Sequence, residues 1–423
     1  MATSAVLTVG NDSYELPIVM GSDGARAIDI RTLHAQSGLT TLDEGLGSTA
    51  VCRSAITSLD AAQGRLHYRG YDVEELAARV GFLDVAHLLV WGELPTAVTR
   101  TSWLDEVAAE APLPQEMSRW FATLPPHADP MAVMSAAVAI LGGYYGPSVD
   151  LYDAEAVHAA VRRILGKLPT LAAAIVQRTD DGPWPIPNTK RDYIGRLLDT
   201  LFEDDAQLLV PREMAERALD VALLLQADHE QNTSTTAARI VGSTYASPYA
   251  VVAAGIGALS GPRHGGAGQA VASMLRQIVE DGGDVRGFVE RVKHKQEGAL
   301  LMGFGHRVYA ARDPRAEVLA PHATRLLASL RAADPWLDVA QKLESLSRED
   351  DYFAERQLAP NFDFYACVIY RALALPVRMF PVLFALGRAA GWLAQWHEMM
   401  QDRPRIVRPR QLYIGKGTRT VTS

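Results

Sequence analysis

Residues 211–230 read Pro-Arg-Glu-Met-Ala-Glu-Arg-Ala-Leu-Asp-Val-Ala-Leu-Leu-Leu-Gln-Ala-Asp-His-Glu, and this run decides the fold class. Met214, Ala218, Val221, Ala222 and Leu225 recur at helical spacing, while Glu213, Glu216, Arg217 and Asp220 lie largely off that face. Pro211 is a helix-start signal. The run therefore predicts a helix that delivers Asp228-His229-Glu230 at its C-terminal end. Residues 266–280 predict another helix, set off by the Gly261-Pro262 turn. The apolar stretches 131–146 and 249–260 are shorter than the roughly 18 residues of a spanning helix and predict buried ones. Residues 380–400 are almost continuously apolar at helical length, interrupted by Arg388, and 179–189, with three prolines, reads as a loop. The first fifty or so residues differ, with short runs such as Ala5-Val6-Leu7-Thr8-Val9 that predict strands. The expectation is a mostly α protein with a short N-terminal β-rich segment.

Composition narrows the class. A chain of 423 residues is long for a single core, so two lobes are expected. Apolar residues make up 48% with no low-complexity tract, which excludes a disordered chain. A net charge of -8 argues against nucleic acid as a partner, although a local arginine cluster can still hold small anions. Cys52 and Cys367 are the two cysteines, too few for a disulfide framework or a cysteine zinc site, and they suit a reducing cytoplasm. The N-terminal residues lack the basic, long apolar pattern of a signal peptide. Cytoplasmic localisation, no membrane partner and no metal are therefore expected, and the His-x-x-x-His pattern of zinc proteases is absent.

Four short segments carry the chemistry: Asp228-His229-Glu230, Gly261-Pro262-Arg263-His264-Gly265-Gly266, Gly303-Phe304-Gly305-His306-Arg307-Val308-Tyr309 and Pro360-Asn361-Phe362-Asp363-Phe364-Tyr365. Each sets a titratable side chain among turn-forming residues, where a scaffold presents reactive groups. His264, near a helix N-terminus, is either a neutral donor held by the dipole or a cap of its own helix. His306 is either a ligand-facing group approached closely through Gly303 and Gly305 or a solvated loop histidine. Asp363 is either a base or a helix cap. His229, between Asp228 and Glu230, takes its tautomer from them or solvates a helix end. Arg388, deep in an apolar run with no acid within a turn, needs an anionic partner from the protein or a substrate. Arg315 and Arg408 are two more candidate carboxylate clamps, with solvated surface as the alternative.

In their joint order these segments resemble the citrate synthase family, and its type II, hexamer-forming bacterial members, over nearly the whole chain, from Asp29-Ile30-Arg31-Thr32-Leu33 through Tyr68-Arg69-Gly70-Tyr71 and Trp91-Gly92-Glu93-Leu94-Pro95 to Arg408-Pro409-Arg410-Gln411-Leu412-Tyr413. The resemblance implies a β-rich segment at 1–55, a large helical domain from 56–263 with a return segment at 370–423, and a small helical domain at 264–369 that closes over the substrates. It implies condensation of acetyl-CoA with oxaloacetate and hydrolysis of citryl-CoA, with coenzyme A a substrate and no cofactor. Asp363 would be the base, His264 the donor to the thioester oxygen and His306 the group polarising oxaloacetate. His229, Arg315 and Arg388 would bind its carboxylates, and Arg408 would reach the pocket from a neighbouring subunit of a homo-oligomer, dimer or hexamer. The 301–312 loop would lie along coenzyme A.

The chain departs from the family pattern at three places. Phe362 replaces a smaller aliphatic residue before the base, Arg263 an apolar or small one, and Ala310-Ala311-Arg312 a more basic stretch. Phe362 is expected to narrow the space at the acyl carbon and favour acetyl-CoA. The competing readings are 2-methylcitrate synthase acting on propionyl-CoA and a non-catalytic oxaloacetate- or CoA-binding homologue. Tyr145, Arg163 and Lys167 match positions at which NADH-inhibited type II members bind the dinucleotide, but Val107-Ala108-Ala109-Glu110-Ala111-Pro112 brings an acid where a cation is usual. Little or no NADH inhibition is expected.

Overall fold

In the computed structural model, residues 3–179, 184–202, 205–296, 298–306, 308–309 and 313–421 are described. The chain divides into two compact units, Met1–Ser54 with Ile406–Ser423, and Ala55–Arg405. The first holds an antiparallel sheet of β1 (Ser4–Val9), β2 (Asp12–Met20) and β3 (Arg26–Ile28), in which Val9 pairs with Asp12 and Ile18 with Ile28. The expected N-terminal strands are thus present, joined by a short helix at Leu33–Ser37.

The second unit is helical apart from one small sheet that the sequence pattern did not reveal, β4 (Thr57–Asp60), β5 (Arg65–Tyr68) and β6 (Tyr71–Asp72). Its centre is the Phe380–Gln401 helix, which packs against the Phe82–Trp91, Arg212–Gln226, Thr233–Gly242 and Pro248–Leu259 helices. This helix is long and apolar enough to cross a membrane by length and composition, yet 89% of its apolar window is buried inside the protein. Neighbours on every side explain why its sequence shows no polar face. The Arg212–Gln226 helix follows Pro211 as expected, but its amphipathic character is confined to its first half. From Val221 to Gln226 every residue is buried, because here the helix enters the core beside the central one. At the crossing a Cβ on Gly391 would sit 2.6 Å from Asp228 Oδ1, so only glycine lets the end of that helix come so close.

Candidate active site

Two loops meet first. Gly305 N–H donates to Ala359 O (2.8 Å), Asn361 N–H to Gly303 O (2.9 Å) and Asn361 Nδ2 to Gly305 O (2.8 Å), while Phe304 and Pro360 form an antiparallel bridge. Gly303 has φ +81°, and a Cβ there would lie 2.7 Å from Val271 and 3.0 Å from Phe364. This pairing fixes His306 and Asp363 with respect to each other. Asp363 is the second residue of the Phe362–Ala372 helix, and the cap is Asn361, whose Oδ1 accepts from the N–H groups of Asp363 (3.0 Å) and Phe364 (3.3 Å). The capping role is therefore filled by another residue. The Asp363 carboxylate has no hydrogen-bond partner among the described residues, and burial pushes its pKa up to about 6, against the opposing charges of Arg315 and Arg388.

The histidines are held neutral, and His306 and His264 are in defined tautomers. His306 Nδ1 faces the backbone N–H groups of Val308 (3.0 Å) and Tyr309 (3.3 Å), so it accepts and the proton sits on Nε2. Burial, with Arg315 nearby, brings its pKa down to about 4. His264 lies in the turn between the Pro248–Leu259 and Ala267–Glu280 helices. The Ser234 N–H points at its Nε2 (3.4 Å) and Ser234 Oγ lies 2.8 Å away. A backbone N–H can only donate, so Nε2 accepts and Nδ1 carries the proton. Its pKa falls to about 4, chiefly through burial and then through Arg388. His264 also stands three residues before the start of the Ala267–Glu280 helix, the setting expected from sequence. His229 is met by the loop that carries His306. Its Nε2 meets Tyr309 Oη at 3.0 Å and its ring stands edge-on to His306 at 5.7 Å, with burial holding it well below the ordinary histidine range.

Two arginines converge on the same space. Arg315 is buried and bound edge-on by Asp313 through Nε to Oδ1 and Nη2 to Oδ2, both 2.9 Å. Its Nη2 also lies 3.4 Å from His306 Nε2. Both nitrogens carry protons, so two donors face one spot with no acceptor between them among the described residues. Arg388 is 1% exposed, donates from Nε to Gln226 O (2.6 Å), and leaves Nη1 buried without a partner. Burial pulls its pKa down to about 10, opposed first by Asp228, the countercharge that the sequence did not reveal. Asp228 is itself fully buried, with Oδ2 accepting from Thr57 Oγ1 (2.6 Å) and Gln395 Nε2 (3.4 Å) and Oδ1 unpaired. Thus His229, His264, His306, Arg315, Arg388 and Asp363 share the Ala55–Arg405 unit, whereas Arg408 is exposed in the other. Among the described residues no group of three or more His, Cys, Asp or Glu could hold a metal.

Comparisons with known proteins give the family of the chain. The family model described as "Citrate synthase, C-terminal domain" matches residues 45–410. Citrate synthase 1 of Mycobacterium tuberculosis is 41% identical over 413 residues, covering 97% of this chain and 96% of that protein. The chain belongs to the citrate synthase family. It is an enzyme of the family's acyltransferase class. Among solved citrate synthases, that of Pyrobaculum aerophilum superposes with TM-score 0.80 at 30% identity, covering 96% of each chain. That of Thermoplasma acidophilum, a ternary complex with carboxymethyl coenzyme A and oxaloacetate, gives 0.80 at 26% identity, covering 90% of this chain and 98% of that one.

The sequence did not mark Ser234, Asp228 or Asp313 as partners of His264, Arg388 and Arg315. Ser234 is thirty positions from His264, and the chain carries no local signal of that contact. Asp313, two residues from Arg315, was the legible one. Tyr145, Arg163 and Lys167 do cluster, but around Glu110. Arg163 binds its carboxylate with Nε and Nη2 (both 3.2 Å) and covers the Tyr145 ring at 4.3 Å. The buried Lys167 ammonium donates to Glu110 O (2.7 Å) and Pro112 O (2.6 Å). Residues 310–312, and 180–183 of the expected 179–189 loop, lie outside the described residues.

Proposed function

We propose that this chain condenses acetyl-CoA with oxaloacetate and hydrolyses the citryl-CoA formed, releasing citrate and coenzyme A. The observation that carries the reading is the pair of donors, His306 Nε2 and Arg315 Nη2, set 3.4 Å apart with no acceptor between them among the described residues. A keto-acid oxygen supplies that acceptor. His306 then polarises the carbonyl, and Arg315, Arg388 and His229 bind the carboxylates. Asp363 removes a proton from the acyl methyl group. A methyl beside a thioester is a very weak acid, so the step needs a donor at the thioester oxygen as negative charge develops, and His264 Nδ1–H supplies it. The enol carbon attacks the oxaloacetate carbonyl carbon, whose oxygen takes up a proton, and water then cleaves the citryl thioester. Coenzyme A enters as part of the substrate, and these steps call for no cofactor.

Closure of residues 264–369 over the bound substrates would keep water from the thioester until condensation. We read the chain as a type II, cytoplasmic homo-oligomer in which Arg408 serves the site of a neighbouring subunit. Its place in an exposed stretch without helix or strand supports that reading. Mixed Arg408→Ala and Asp363→Asn subunits should then regain part of the activity that each lacks, and a fully active monomer excludes the shared site. The main test is thiol release with acetyl- and propionyl-CoA plus oxaloacetate. Higher catalytic efficiency with acetyl-CoA is expected. Equal or greater efficiency with propionyl-CoA moves the assignment to 2-methylcitrate synthesis, and no release with either means a binding protein.

A further inference from the structure

Phe362 directly precedes Asp363, and from sequence its side chain is expected beside the acyl carbon. In the structure its ring packs against Arg315. Phe362 is 2% exposed, and the guanidinium carbon of Arg315 lies 5.0 Å from its ring centroid. Its backbone N–H donates to Asp313 Oδ2 (3.1 Å), the same oxygen that accepts from Arg315 Nη2. One edge of the guanidinium is thus fixed by Asp313 and one face is covered by an aromatic ring. A cation over a ring in a dry setting is attracted by the ring quadrupole, and the planar guanidinium stacks well there. Held at edge and face, Arg315 has little rotational freedom left to lose when a carboxylate arrives.

We propose that Phe362 is a positioning residue for Arg315 and sets affinity for oxaloacetate rather than the choice of acyl chain. The inference rests on the reading of Arg315 as a carboxylate clamp. Methionine at this position keeps an apolar side chain of similar volume but presents no ring.

The test is steady-state kinetics on the full-length enzyme carrying Phe362→Met, with Phe362→Leu beside it and thermal unfolding as a check of the fold. Either folded variant should raise KM for oxaloacetate about three- to thirtyfold, the range expected for a desolvated cation–π contact. At the same time kcat should hold within about threefold, and the ratio of acetyl- to propionyl-CoA efficiency within about twofold. Arg315→Lys alone should raise KM for oxaloacetate further, and adding Phe362→Met to it should cost little more, since the lysine has no plane for the ring to hold. An unchanged KM for oxaloacetate, or an altered acyl ratio, in folded Phe362 variants overturns the proposal. If Arg315→Lys itself leaves that KM unchanged, the clamp reading fails instead, and the two failures are told apart.

Discussion

Two clusters in the helical unit contain tyrosine, arginine and acid, and they differ in what is left over. Around Glu110 the cations are consumed: Arg163 is bound at two nitrogens and Lys167 has two carbonyls and a carboxylate oxygen 3.5 Å away. Around His306 they are not. Arg388 keeps a buried nitrogen without a partner, Arg315 and His306 present donors to one another, and among the described residues none hydrogen-bonds the Asp363 carboxylate. Unmatched buried polarity is costly, so a folded protein keeps it where a ligand completes it. The first cluster is closed as a structural tie. The second is a site waiting for anions.

The largest effect expected from this contrast is on catalysis. Asp363→Asn keeps shape but cannot take a proton, so activity should fall by about 10²- to 10⁴-fold while oxaloacetate affinity measured by calorimetry changes by less than about twofold. More than about a tenth of wild-type activity in this variant would mean that the base lies elsewhere. A second measurement sharpens the assignment. With Asp363 near 6 and both donor histidines near 4, only the carboxylate titrates within the working range. The rate at low thioester concentration should decline roughly tenfold per pH unit below about 6, and an acid limb near 4 would contradict the desolvated carboxylate.

Stability should move in the opposite sense to activity. The folded pKa of Asp363 is raised above its unfolded value, so its contribution to stability is full below about pH 4 and is lost as pH rises through about 6. At pH 7.5 Asp363→Asn should therefore melt about one to two degrees above wild type, corresponding to roughly 1 to 2 kcal/mol, with the gap closing by pH 4. Equal melting points at pH 7.5 would show that the charge costs nothing in the fold. The smallest effect is at Glu110. NADH should barely inhibit the wild-type enzyme, because Arg163 and Lys167 are already matched. Glu110→Gln, which frees a cation, should introduce measurable inhibition, since one charged phosphate contact is worth about 1.5 to 3 kcal/mol. Strong inhibition of the wild type, relieved by Arg163→Ala, would break the contrast between the two clusters.

Helices with wet and dry faces, and turns rich in glycine and proline, were legible because their signal is local and periodic. The 212–226 and 267–280 helices and the N-terminal strands belong to that class, whereas the 380–401 helix was legible from the length of its apolar run. The β4–β6 sheet was not, since its strands of two to four residues are too short for a period to repeat. At the site, residue types and order were readable while the physical causes were not. The neutrality of His264 comes from burial and Arg388, and the charge on Arg388 is balanced by Asp228 160 positions away in the chain. Contacts of that range are fixed by how helices pack. At Asp363 two local readings, base or helix cap, stood open in the sequence, and the cap is the neighbouring Asn361.

The pairing of residues 303–305 with 359–361 bears on how such an enzyme can be rebuilt. The two segments share three backbone or side-chain hydrogen bonds, and Gly303 leaves no room for a side chain against Phe364. A chimaera that imports one loop from a homologue without the other would set foreign backbone against a partner shaped for the original. Such transplants should be made in matched pairs, and variation at one segment is expected to be inherited together with variation at the other.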